Sequence, residues 1–221
     1  MILIRDAQVI DGSGAPPVTR DVLIKGDRIS AIGSFRTKGA DEVVEGLGCY
    51  LTPGLIDANT DADHYLTLLS DPAQEGSLLQ GITTIIGGHC GASLAPLLYG
   101  SLISVRKWAG TNQANVDWRT VGELFAALAR RGLGPNFATF VGHSTIRRDL
   151  IGEDIRDLTD GELVVMRKLV SDALRDGALG LSTGLGYAHS RQVPFAEIRT
   201  LAEDVTASGG VYATHLRDER E

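Results

Sequence analysis

The chain has 221 residues, 43% hydrophobic and 22% charged, a balance that suits one large globular domain or two small ones. Its 21 basic residues face 28 acidic ones, giving a net charge of −7 with no basic run, which excludes a binder of the nucleic-acid backbone. No apolar run reaches the roughly 18 residues of a membrane span, and Asp6 comes too early for the apolar core of a signal peptide, so a cytoplasmic protein without membrane or nucleic-acid partners is expected.

Residues 1 to 52 read as a small β unit. "ILIRDAQVID" alternates in part and stops at the turn-rich "DGSGAPP". "DVLIKGDRISAIG" has the form of a hairpin turning at Gly26-Asp27, and "DEVVEGLGCYLTPG" supplies a further strand. Cys49 reads as a small buried hydrophobe, because two cysteines in so long a chain make no disulfide framework.

From residue 53 to 221 the pattern changes to strands alternating with helices. Strands are predicted at 54–58, 82–87, 136–143, 178–184 and 210–217, and helices at 121–134, 160–176 and 195–208. The helix over 160–176 is the best marked. Thr159 and Glu162 can form a capping box, Leu163, Met166, Leu169, Val170, Ala173 and Leu174 make one apolar face, and Gly177 can end it. Such alternation predicts parallel βα units, either an open doubly wound sheet or a (β/α)8 barrel, and in both the ligand meets the C-terminal ends of the strands.

All five histidines, His64, His89, His143, His189 and His215, fall at or just after those ends. Asp57, Asn59, Asp61 and Asp63 follow the first strand, Cys90 the second, Ser182, Thr183 and Tyr187 the fourth, and Arg217, Asp218 and Glu219 the fifth. Thiolate, imidazole and carboxylate at one mouth suit zinc, which lowers the pKa of a bound water to about 7 and polarises a carbonyl, the chemistry of hydrolysis. "GGHCG" could instead cradle a phosphate, but it lacks the Lys and Ser/Thr of a P-loop.

"YLTPGLID" at the junction of the two regions resembles the amidohydrolase superfamily. "GITTIIGGHCGASLAPL", "NFATFVGHSTIR", "GALGLSTGLGY" and "GGVYATHLRDE" resemble, more narrowly, the N-acyl-D-amino-acid deacylases (D-aminoacylases). The resemblance implies an α/β protein: a metal-dependent (β/α)8 TIM barrel, incomplete here at about five βα units, preceded by a small β-sandwich portion. It implies hydrolysis of the non-peptide amide C–N bond of a small N-acylated amino acid by a zinc-activated water. By family motif, Cys90 and His215 are metal ligands. Asp61 is a further candidate ligand, while His143, Ser182, Thr183, Tyr187 and Arg217 are candidates for binding substrate. A further ligand His and a general-base Asp are expected beyond residue 221. Asn59 and Asp61 stand where the family carries His-x-His, so one zinc ion is expected rather than two. A cyclic-amide hydrolase of the hydantoinase or dihydropyrimidinase kind, and a catalytically dead binding protein on the same fold, are the alternatives. The 221-residue piece by itself is expected to be inactive and poorly soluble.

Overall fold

The structure is a computed structural model that describes residues 1–36, 39–111 and 114–219. It divides into two compact units, Met1–Gly54 and Leu55–Glu221.

The first unit is one sheet. β1 (Ile2–Val9) pairs antiparallel with β2 (Val18–Lys25), and β2 pairs antiparallel with β3 (Arg28–Gly33). The expected hairpin turns at Gly26-Asp27, where φ is +63° at Gly26, a value glycine adopts without steric cost. β4 (Glu42–Glu45) and β5 (Tyr50–Leu51) both run parallel to β1. A bulge in β1 places Asp6 at φ +56°, and its N–H donates to Asp21 Oδ1 at 2.9 Å. The N–H of Phe35 donates to the other oxygen at 2.7 Å, and these bonds, that of Phe35 first, hold the Asp21 carboxyl below the usual carboxylate range. Leu3, Ala7 and Val22 are buried. Cys49 is exposed, not buried as expected: it precedes the two-residue β5 in a turn where Gly46 packs on Ala7 instead.

The second unit is a mixed α/β fold. β6 (Leu55–Asp57) is followed by two short helices, α1 (Thr67–Ser70) and α2 (Glu75–Leu78), and then by β7 (Ile82–Gly87). A long connection with one 3-10 turn (Ile103–Val105) leads to α3 (Val121–Arg131). Next come β8 (Asn136–Thr139), β9 (Val141–Gly142), α4 (His143–Ile151), α5 (Asp160–Arg175), β10 (Gly180–Gly184), α6 (Phe195–Ala207) and β11 (Val211–His215). β6, β7 and β8 pair in that order, as do β9, β10 and β11, and every pairing is parallel. Phe140 alone separates β8 from β9; its N–H donates to Gly87 O at 3.0 Å, and Thr139 O accepts from Leu179 N–H at 2.9 Å.

The capping box of α5 forms as expected. Glu162 N–H donates to Thr159 Oγ1 at 3.3 Å, Thr159 N–H donates to Glu162 Oε2 at 2.8 Å, and Gly177 follows at φ +106°. An equivalent box, Thr120 with Glu123, starts α3, which Gly132 ends in the left-handed conformation. Met166 and Val170 of α5 join Leu124 of α3, Ile85 of β7 and Leu181 of β10 in one core. Each such side chain contributes about 1.5–3 kcal/mol on burial.

The predicted strand over 136–143 stops early, because His143 opens α4. The loop after β7 decides this. Gly91 O accepts from the N–H groups of Ser144 and Thr145 at 2.8 and 3.2 Å, satisfying the first turn of α4 from outside. A Cβ at Gly142 would come within 2.6 Å of Ala92, so only glycine fits where strand gives way to helix. Among the described residues no helix is long and apolar enough to cross a membrane.

Candidate active site

Cys90 sits in a turn built by glycines. Its own φ is +54° and that of Gly88 is +75°. A Cβ on Gly88 would fall 2.2 Å from Phe140 O, and one on Gly91 would fall 2.7 Å from Gly184 N. Ser182 fixes the turn from β10: its Oγ accepts from Gly91 N–H at 3.1 Å and donates to Gly88 O. The turn thereby brings Cys90 Sγ to 3.8 Å from Nδ1 of His215, at the end of β11.

Two donors bound to one tetrahedral zinc at about 2.3 Å for sulfur and about 2.0–2.1 Å for nitrogen stand about 3.5 Å apart, so this spacing fits a shared zinc. Burial pushes the Cys90 thiol above its ordinary value against the opposing hydrogen bond from Tyr187, so a thiolate here calls for a cation. Tyr187 joins the pair directly: its ring centroid lies 4.9 Å from that of His215, and burial and the neighbouring sulfur hold its phenol up at about 12, protonated at neutral pH. Among the described residues no group of three or more His, Cys, Asp or Glu side chains is placed to hold a metal. Cys90 and His215 are thus two donors of a set, not a complete site.

The donors after β6 are spent differently. Asp57 Oδ1 accepts the N–H of Asn59 at 3.0 Å, and the Asn59 side chain lies exposed. Asp61 Oδ1 lies 3.0 Å from Nδ1 of fully buried His64, whose Nε2 donates to Ala92 O at 3.1 Å. Trp108 stacks on the His64 ring at 4.2 Å and 12°. Asp63 is fully buried and accepts Gly88 N–H at 2.6 Å, while its Oδ1 has no hydrogen-bond partner among the described residues. Burial pushes its carboxyl above the carboxylate range despite His64 and the backbone donors.

The expected substrate-contacting residues divide. His143 is fully buried at the start of α4; its Nε2 donates to Glu197 Oε1 at 2.8 Å, an oxygen that also accepts from Arg147 Nε at 3.1 Å. Burial pushes the Glu197 carboxyl up, but His143 and Arg147 outweigh it and hold it below its ordinary value. Thr183 is buried, its Oγ1 2.7 Å from the Tyr212 hydroxyl and 2.8 Å from Thr214 Oγ1. Arg217 donates to Val193 O at 2.9 Å and borders, with His215 and Glu219, a cavity of about 280 Å³. Tyr187, His215 and Cys90 therefore form one cluster, while the polar groups of His143, Ser182 and Thr183 turn inward onto protein partners.

One histidine of the strand-end set packs on a neighbouring ring, and one cation went unread in the sequence. His89 packs edge-on to Phe140 at 5.0 Å. Lys107 holds its Nζ 3.2 Å over the Tyr187 ring and 3.9 Å over the Trp108 ring. A cation beside a tryptophan in "RKW" was the available signal, in a stretch without helical or strand period.

No protein-family model matches the chain. A D-aminoacylase of Alcaligenes xylosoxydans xylosoxydans is 35% identical over 220 residues, covering 100% of this chain and 45% of that protein. An N-acyl-D-glutamate deacylase of Bordetella bronchiseptica, solved with zinc and a phosphonate inhibitor that mimics the tetrahedral reaction intermediate, superposes with a TM-score of 0.86 at 30% identity. It is covered over 45% of its length by 99% of this chain. A D-aminoacylase structure concerned with a binuclear metal centre, one-metal activation and second-metal attenuation gives a TM-score of 0.85 at 32% identity, with the same coverage of 99% and 45%. The chain thus spans a little under half the length of the relatives it matches.

Proposed function

Because this chain belongs to the N-acyl-D-amino-acid deacylases of the amidohydrolase superfamily, as the counterpart of their N-terminal part, we propose that it contributes half of a zinc site that hydrolyses the amide of an N-acylated D-amino acid to a carboxylate and the free amino acid. The observation that carries this reading is the 3.8 Å approach of Cys90 Sγ, after β7, and His215 Nδ1, at the end of β11. Cys90 and His215 would hold one zinc ion, which when bound supplies an activated water and polarises the amide carbonyl. The remaining ligand and the acid–base group belong to the part of the family's length that this chain does not span.

This chain's own residues set the stage for that chemistry. The glycine turn and Ser182 aim the thiol. The Tyr187 phenol, protonated at neutral pH, is a polar group beside the pair. Arg217 and His215 border the cavity from which substrate approaches. His143, Ser182 and Thr183 support the site from behind through their internal bonds. Asp61 is engaged by His64, which favours one zinc ion rather than two.

The parallel strands follow chain order within each sheet, β6-β7-β8 and β9-β10-β11, with no reversal such as a doubly wound sheet needs at its switch point. That supports the second unit as the first five βα units of a (β/α)8 barrel, residues 53–221; residues 1–52 belong, in the same reading, to a β-sandwich. A cytoplasmic location belongs to the same reading, supported by two unpaired cysteines, Cys49 and Cys90. The test is to produce the full-length protein, load it with zinc and offer it N-acyl-D- and N-acyl-L-amino acids. Amine release from D-substrates that vanishes on chelation is expected; no release from any compound overturns the reading.

A further inference from the structure

Lys107 stands beside the Cys90–His215 pair with its charge uncommitted. Its ammonium caps the Tyr187 ring at 3.2 Å, and that ring lies 4.9 Å from the ring of His215. Among the described residues Lys107 makes no ion pair, although its side chain reaches solvent. An aromatic face can hold an ammonium without using its N–H donors, so those donors remain available to an incoming acceptor.

The surroundings add to the positive charge. Arg106 and Arg148 share a single carboxylate oxygen, Oε1 of Glu153, each at 3.0 Å. Arg106 and Arg148 thus share one carboxylate, and Lys107 and Arg148 lie close enough to act on each other. Their mutual repulsion is legible: burial, then Arg148, lowers Lys107 to about 8. Burial, then Arg148 and Lys107, lowers His189 to about 4, and its buried Nε2 has no partner among the described residues. His189 lies parallel to Tyr187, with centroids 6.1 Å apart. A group of cations that repel one another is relieved by an anion.

We propose that Lys107, backed by Arg148, is a carboxylate-binding subsite beside the Cys90–His215 pair, and so a specificity-determining residue for the substrate. The assignment rests on the hydrolase reading for the identity of the ligand, a carboxylate of the N-acyl amino acid. That carboxylate has two sources, the α-position and an acidic side chain.

The experiment uses the full-length, zinc-loaded protein and calorimetric titration with matched pairs. N-acetyl-D-leucine against N-acetyl-D-leucinamide isolates the α-carboxylate; N-acetyl-D-glutamate against N-acetyl-D-glutamine isolates the side chain. In Lys107→Met the acid-over-amide affinity ratio is expected to fall roughly ten- to hundredfold for one pair, the loss of one charge-assisted hydrogen bond. Lys107→Arg is expected to keep the ratio, and an unchanged Tm for both variants separates the effect from unfolding. If both ratios are unchanged in Lys107→Met, the subsite is refuted. Carboxylate-selective binding without turnover leaves the subsite standing and removes the hydrolase reading. Turnover with unchanged ratios does the opposite, and neither binding nor turnover removes both.

Discussion

The strand ends of the second unit carry two sets of metal-capable side chains with opposite fates. After β6, Asp57, Asp61, Asp63 and His64 face the chain's own backbone and one another, and two of them, Asp63 and His64, are fully buried. After β7 and β11, Cys90 and His215 face each other at 3.8 Å with the thiol held protonated. Residue type is the same kind of evidence in both places. What separates them is the partner: the groups after β6, Asp63 Oδ1 excepted, are held by backbone or by a complementary neighbour, whereas the thiol and imidazole after β7 and β11 meet as two metal-capable groups.

The sharpest break of that contrast is Cys90→Ala in the full-length protein. Zinc content is expected to fall from near one equivalent to near none by elemental analysis. Any hydrolase turnover should drop by more than the roughly hundredfold seen on losing an outer partner of a metal ligand.

Glu197→Ala attacks the internally satisfied class at a buried ion pair. It leaves Arg147 and His143 without their shared carboxylate, and a loss of about 3–5 kcal/mol is expected in denaturant unfolding. A loss below about 1 kcal/mol would show that His143 and Arg147 find other partners.

Asp61→Ala tests the β6 side itself. His64 loses one partner, so about 1–3 kcal/mol of stability should go while zinc binding stays at one equivalent. A parallel loss of zinc would move Asp61 into the ligand set.

The smallest effect is at the rim of α5. Arg156, with the Thr159 backbone, depresses the Glu162 carboxyl to about 2 from its ordinary value near 4.5. A depressed carboxylate stabilises the fold above the unfolded pKa, and the contribution is lost as pH falls toward about 2. Glu162→Gln should therefore flatten the acid limb of the stability profile between about pH 4.5 and pH 2, read by thermal melts, and leave the neutral region parallel to that of the parent.

Local signals were legible wherever the cause was local. The Thr159–Glu162 box, the Gly177 stop and the Gly26-Asp27 turn involve residues within a few positions of each other, and each forms as expected. The placement of all five histidines near strand ends was also readable, because it needs only the order of elements. The start of α4 was not, since the groups that satisfy it come from the loop after β7, some fifty positions away. Cys49 was misjudged for a related reason: burial depends on what packs over a residue, and composition does not carry that.

The site followed the same division. Motif resemblance pointed to Cys90 and His215 at once, but their approach depends on Gly88 and Gly91 packing against backbone far off in sequence. Ser182 and Thr183 carry the same hydroxyl chemistry as a substrate contact would, and only their partners place them behind the site. Lys107 had no periodic context in the sequence and acquires its position from Trp108 and Tyr187.

The sequence by itself determined the alternation of strands and helices, the caps and turns, and which residues can bind metal, because these follow from side-chain chemistry and short-range backbone sterics. Only the tertiary structure decided which of those residues are spent on the protein and which remain to act. That choice depends on partners brought together across tens of residues, from Gly88 to Ser182 and from Cys90 to His215.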